Sequence, residues 1–341
     1  MLQSPSIHNT VFFLICKKNA QQSTYFVNNF SKIPYLCTRK HQHQFTMKSK
    51  WPFHVFAVLA SVVWGSTFVS SKVLLNAGMS PAEIMTIRFA IAYLAMLPFM
   101  IRSVGPKGWR DESLFAVLGL SGGSLYFLAE NTAVNISSAS STVALLVCVT
   151  SVFTAVINRL VWRGEKLGVS FAIGSVIALV GTALVVFNGI FVLDDNPSVI
   201  LLSLGAALCW SVYSIVLRIL EQRYSSLEIT RKVFFWGIMT MLPYFLYEPF
   251  HIEREMIEQP AVIFNTLFLS LVASLGCFLL WNIVVRRIGV VVSANYLYFN
   301  PVVALITAHI VLDEKITMYA VAGCAVTTVG VYLCNKKNKK S

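Results

Sequence analysis

The chain has 341 residues, of which 56% are hydrophobic and only 12% charged, and its mean hydropathy is +0.69. Soluble domains average about 25% charged residues. Half that share leaves too few polar side chains to cover a water-facing surface, which excludes a soluble two- or three-domain protein. The net charge of +12 does not signal nucleic acid, because the basic residues sit in short connections between apolar runs and form no single patch.

Residues 1–46 are rich in Asn, Gln, Ser and Lys, and their one apolar run, Val11 to Cys16, is too short for a signal-peptide core. This segment is expected to be a disordered extension, with Met47 as an alternative start. Apolar segments then follow at 53–75, 81–101, 113–134, 138–160, 168–188, 198–219, 227–247, 261–285, 290–312 and 317–334. Each is near the roughly 20 residues that a helix needs to cross a bilayer core, and none alternates as a barrel strand would. An all-α membrane protein of ten transmembrane helices is therefore expected. Alternate connections from residue 47 hold sixteen Lys and Arg on one side, from Lys48 to Lys340, against Arg254 and Lys315 on the other. That bias places both termini in the cytoplasm, including a basic tail at 335–341, with the plasma (inner) membrane as the expected location.

The second half repeats the first. Segments four and five match nine and ten at a constant offset of 149, which pairs Glu165, Gly174 and Gly181 with Glu314, Gly323 and Gly330. Segments one and six match at 146 (Trp64 to Trp210, Lys72 to Arg218), two and seven at 145 (Glu83 to Glu228), and three and eight at 151 (Phe127 to Phe278, Asn131 to Asn282). Repeats at 53–188 and 198–334 with five helices each, an odd number, must enter the membrane from opposite sides. Such inverted repeats are typical of secondary transporters, whose site lies at the midplane between the halves.

Four motifs make the resemblance specific. They are W-G-S-T-F from Trp64, Ile87-Arg88-Phe89, Gly164-Glu165-Lys166 with Gly174 and Gly181 behind it, and N-P-V-V-A-L from Asn300 followed by Asp313-Glu314-Lys315. Over about residues 53–334 the chain resembles EamA-type drug/metabolite transporters of the ten-helix bacterial type. The resemblance implies movement of small metabolites through a cavity lined by helices one to four and six to nine, with five and ten peripheral. One departure is Val152, where the second repeat carries Pro301.

Ionisable groups in hydrocarbon are costly and call for a reason. Lys72, Arg88, Glu130 and Asn131 fall at similar depth on consecutive helices, and Arg218, Glu228, Arg231 and Asn282 mirror them in the second repeat. They are candidate gates or ion pairs; snorkelling to the interface is the competing account. Trp64 and Trp210 fall near mid-depth and suit a cavity wall, against packing alone. With Ser151, Asn295, Tyr296, Tyr298 and Asn300, they are the candidate substrate contacts. Glu165 and Glu314 suit caps for the following helices. Gly174, Gly181, Gly323 and Gly330 suit close packing, and Pro301 suits a freed backbone carbonyl.

The seven cysteines form no C-x-x-C pair and the six histidines no H-E-x-x-H, so no metal and no cofactor are expected. No Walker A loop is present either, and the G-x-S-x-G of Gly119 to Gly123 falls inside an apolar segment expected to be a transmembrane helix, not at the strand-to-helix turn a nucleophile elbow needs. The expected function is secondary transport of a small organic metabolite by alternating access, not enzymatic catalysis. Partners are the solute, the bilayer and protons through Glu130, with no nucleic acid. A non-transporting membrane enzyme or sensor on the same scaffold is the alternative.

Overall fold

A computed structural model describes residues 50–99, 108–137, 140–162, 168–187, 196–251, 253–312 and 316–336. Helices are the regular secondary structure of the described residues, joined by short turns. Eight helices are long and apolar enough to cross a membrane. They are α1 (Trp51–Asn76), α2 (Pro81–Phe99), α3 (Trp109–Ile136), α4 (Ser140–Val161), α6 (Pro197–Leu220), α8 (Pro260–Ile288), α9 (Val290–Val311) and α10 (Met318–Asn335). Two others fall short of that standard. Helix α5 (Val169–Phe187) has too short an apolar stretch, and α7 (Ser226–Met241) carries Glu228, Arg231 and Lys232 in its first turns. The expected extension at 1–46, the caps Glu165 and Glu314, and tail residues 337–341 lie outside the described residues.

Helix starts follow from local chemistry. Pro52, Pro81, Pro197 and Pro260 occupy first-turn positions, where a missing N–H costs nothing. Ser80 with Glu83, and Ser225 with Glu228, close reciprocal capping boxes at the starts of α2 and α7. Gly289, at φ 91°, turns the chain from α8 into α9 in a single residue, a conformation only glycine adopts freely.

Leu59, Leu94, Leu160, Ile173, Leu201, Phe264 and Ile310 are exposed, while Ser61, Arg88, Asn131, Ser211, Asn282 and Asn295 are buried. An apolar outside around a partly polar inside fits a lipid solvent. Packing between the halves comes in matched pairs. Helix α3 packs on α6 as α8 does on α1, α4 on α6 as α9 on α1, and α3 on α7 as α8 on α2. Helices α2 and α7 pack on each other, as do α5 and α10. In the last pair Gly174 lies against Cys334 and Gly330, and Gly181 against Thr327 and Gly323, so α5 and α10 run antiparallel. A Cβ at Gly323 would come within 2.6 Å of the Gly181 carbonyl, so these backbones touch only because side chains are missing.

Both α4 and α9 are interrupted, at Cys148–Val149 and over the 3-10 turn Asn295–Phe299. The break in α4 occurs without the proline that α9 has in Pro301. Side chains at the α4 break serve the α9 break: the Ser151 hydroxyl donates to the Ala294 carbonyl at 2.5 Å and the Cys148 thiol to the Leu297 carbonyl at 3.1 Å. Freed carbonyls in a membrane need such partners.

Candidate functional site

Aromatic side chains fill the centre between the repeats. Trp64 of α1 meets Trp210 of α6 edge to face at 5.2 Å and packs on Trp281 at 5.0 Å; Trp210 in turn packs on Tyr126 at 5.0 Å and Tyr213 at 4.8 Å. Each such pair adds about 0.5–1.5 kcal/mol beyond burial. The Trp64 indole N–H donates to the Ala273 carbonyl at 3.0 Å, inside a π-wound stretch of α8, Phe268–Gly276. The matching stretch of α3, Leu120–Ser124, contains Gly122, the repeat equivalent of Ala273. No bond forms there, and the buried Trp210 N–H is left without a partner.

Trp210 is one wall of a cavity of about 20 Å³, lined by Trp64, Thr67, Phe68, Tyr126, Phe127, Glu130, Val147, Thr150, Trp210, Leu297 and Asn300. The space holds roughly one water molecule, so a larger solute enters only if the walls part. Glu130 supplies the formal charge on the lining. One carboxylate oxygen accepts from the Tyr126 hydroxyl at 2.8 Å, one helical turn earlier. The Asn300 side-chain oxygen is buried and unpartnered. Arg88 stays behind the wall: its guanidinium carbon lies 4.2 Å from the Phe127 ring centroid, and Nε donates to Ser274 at 2.8 Å. Its Nη2 has no partner.

Only part of the expected polar clustering occurs. Trp64, Trp210, Asn300 and Glu130 converge on the cavity. Lys72 does not join Arg88 and Glu130; its ammonium takes the carbonyls of Val134, Asn135 and Ser137 at 2.9–3.3 Å. Carbonyls at a helix end have no intrahelical donor and attract a cation. Asn131 donates to the Pro81 carbonyl at 3.4 Å. Among the expected solute contacts, Ser151 is turned onto Ala294, and Asn295 donates to Asn335 at 2.9 Å. Tyr296 bonds His54 at 2.6 Å, while Tyr298 is fully buried away from the cavity lining. In the second repeat, Glu228 is engaged with Ser225, and Arg218 donates to Asn158 at 2.5 Å while lying over Trp162. Asn282 links Tyr213 at 3.0 Å to Thr230 at 2.8 Å, and Arg231 is buried near the start of α7.

The sequence of the EamA-like transporter family matches this chain twice, over residues 51–187 and 197–336. The chain belongs to the EamA-like transporter family. A probable terminal-alkyne amino-acid exporter from Streptantibioticus cattleyicolor is 28% identical to it, over 82% of this chain and 92% of that one. A probable amino-acid metabolite efflux pump from Salmonella typhimurium is 26% identical, over 81% and 92% of the two chains. A solved crystal structure 16% identical superimposes with a TM-score of 0.65, covering 84% of this chain and 96% of that one, and shares its fold.

In this EamA-like transporter the cavity also contains residues that the sequence had not singled out. Tyr126 stands four residues before Glu130, a spacing that puts both on one helix face, and was legible on that ground. Thr67 and Phe68 lie within the W-G-S-T-F run. Phe127, Val147, Thr150 and Leu297 look like ordinary core positions, and only the packing of five helices brings them to one place.

Proposed function

We propose that this protein moves a small organic metabolite, amino acid-like or otherwise amphipathic, out across the plasma membrane by alternating access. Ten helices cross the bilayer as two inverted five-helix repeats, with both termini in the cytoplasm. The antiparallel pairing of the equivalent helices α5 and α10 supports the inversion, and the Lys and Arg bias supports the orientation.

One observation carries the functional reading. The cavity lies at the contact between the repeats, and its aromatic lining includes Glu130 together with Trp210 and Asn300, whose buried indole N–H and amide oxygen have no partner. Buried polar groups without partners are costly, and a bound solute would satisfy them. Glu130, Trp210 and Asn300 are the solute contacts, with Trp64, Tyr126 and Phe127 as the apolar walls. Glu130 is also the site at which a proton exchanges for the solute. The names of the two exporters above support the amino acid-like class.

The test compares metabolites released by cells lacking the protein with those released by overexpressing cells. Accumulation of one class of amphipathic solute inside the deletion cells, with its release on overexpression, is the expected result. Identical profiles would refute export.

A further inference from the structure

The two ends of the bundle are closed by different chemistry. At the end where α3 begins, its first turn carries Asp111 and Glu112. Glu112 accepts from the Lys232 ammonium at 2.7 and 2.9 Å and from the Trp236 indole N–H at 2.8 Å, both on α7. Side chains of Glu112 and Lys232 are each only 14% exposed, so solvent screens this ion pair less than a surface pair. Asp111 accepts from Arg223 at 2.8 Å and from the Tyr224 hydroxyl, in the corner between α6 and α7. Arg286, in the last turn of α8, donates to the Tyr224 carbonyl and ties that corner down from the other side. The first repeat is thus clamped to the second by two carboxylates.

The repeat offsets identify the corresponding positions at the opposite end. Asp111 and Glu112 correspond to Val262 and Ile263 at the start of α8. Lys232 and Trp236 correspond to Ile87 and Ile91 on α2, and Arg223 and Tyr224 to Ala77 and Gly78. No side chain among these six carries a charge or a hydrogen-bonding group. Val262 is buried in the main apolar core, with Ala77 and Ile87 packed against it. The opposite end adds the backbone N–H of His251 on Glu83, at 2.6 Å, a contact between a dipole and a carboxylate that also serves the Ser80 cap.

We infer that Asp111 and Glu112 are positioning residues that hold the transporter shut at the α3/α6–α7 end, so that the other end, held by apolar packing and the Glu83–His251 contact, is the first to open. This inference rests on the alternating-access reading. In an inverted repeat, opening one end and closing the other exchanges equivalent contacts. Here opening the clamped end breaks two carboxylate clamps, and the six equivalent positions at the other end offer only apolar side chains in exchange. The latched conformer is therefore favoured by interactions that the alternate conformer cannot replace, and the step that breaks the clamp is the one a bound solute must drive.

Hydrogen–deuterium exchange on the full chain in lipid nanodiscs tests this, using native protein, Glu112→Gln, Asp111→Asn and the swap Glu112→Lys with Lys232→Glu. The neutral variants are expected to exchange several-fold faster at the start of α3 and in the α6–α7 corner. They are also expected to exchange several-fold more slowly at the α1–α2 corner and the start of α8. That reciprocal slowing is what a merely local loss of structure would not produce. The swap variant, which restores the ion pair with reversed sign, is expected to return both ends toward the native pattern. Faster exchange at the clamp with no slowing at the other end, or no change at either end, overturns the inference. Solute flux measured on the same samples separates the two readings. Reciprocal exchange without flux would leave the clamp standing and remove the transport reading, and flux with unmoved exchange would do the reverse.

Discussion

Trp64 and Trp210 meet edge to face between the repeats, with ring planes at 84°. The two occupy equivalent positions, so their contact lies on the axis that relates the halves, as does the contact of Cys148 with Leu297. Yet the pair is unequal. Trp64 donates its N–H to Ala273, whereas Trp210, which also lines the cavity, has an N–H without a partner. Trp210→Phe is expected to keep the fold and lower solute flux, through weaker solute affinity. Trp64→Phe is expected to lower stability by about 1 kcal/mol, the net worth of one hydrogen bond, with a smaller effect on flux. Thermal unfolding in detergent and flux in vesicles measure the two effects separately.

Glu130 is the charged group on the cavity lining, and Glu130→Gln preserves its size and its ability to accept from Tyr126. Flux is expected to fall to the level of empty vesicles while the melting temperature stays close to native. Tyr126→Phe removes one hydrogen bond worth about 1 kcal/mol and is expected to weaken flux only partly. Full activity in Glu130→Gln would remove this residue from the site.

The glycine contact between α5 and α10 gives a stability prediction. At Gly323 a Cβ would meet the Gly181 carbonyl at 2.6 Å. Gly323→Leu forces the helices apart at a cost of about 1–3 kcal/mol. A lower melting temperature is expected, with residual flux in the folded fraction because neither helix lines the cavity.

Glu221, just beyond the end of α6, is pushed up from 4.5 to about 7 by burial, with Arg286 and Arg218 pulling it the other way. Its folded form holds the proton more tightly than the unfolded chain. The group therefore contributes stability that is fully present below about pH 4.5 and declines as pH rises toward 7. The loss is at most about 3 kcal/mol. Glu221→Gln is expected to flatten this decline in melting curves recorded across that range.

Much of the fold was legible because hydropathy and proline placement act locally. The expected segment at 198–219 became Pro197–Leu220, and that at 81–101 became Pro81–Phe99. The capping boxes at Ser80 and Ser225 were missed although S-x-x-E is a local signal, and Glu228, read as a gate candidate, caps α7 instead. Side-chain direction was not legible. Lys72 and Glu130 share a depth, but Lys72 is drawn to the open carbonyl end of α3. Asn295 and Tyr298 share a segment with Asn300, but the 3-10 turn that ends before Asn300 rotates the two of them away from the cavity. The break in α4 carried no proline signal; its own Ser151 and Cys148 side chains serve the freed carbonyls of α9 across the axis. Depth can be counted along one helix; facing depends on its neighbours.

On the proposed alternating-access reading, the cavity beside Glu130 opens to each side of the membrane in turn. Thr67→Cys, placed on the cavity wall in a background without other cysteines, can be labelled by a membrane-impermeant maleimide added to one side of oriented vesicles at a time. Alternating access predicts labelling from either side, slower from the clamped end and accelerated there by Glu112→Gln. Labelling from one side only, unchanged by Glu112→Gln, would contradict it.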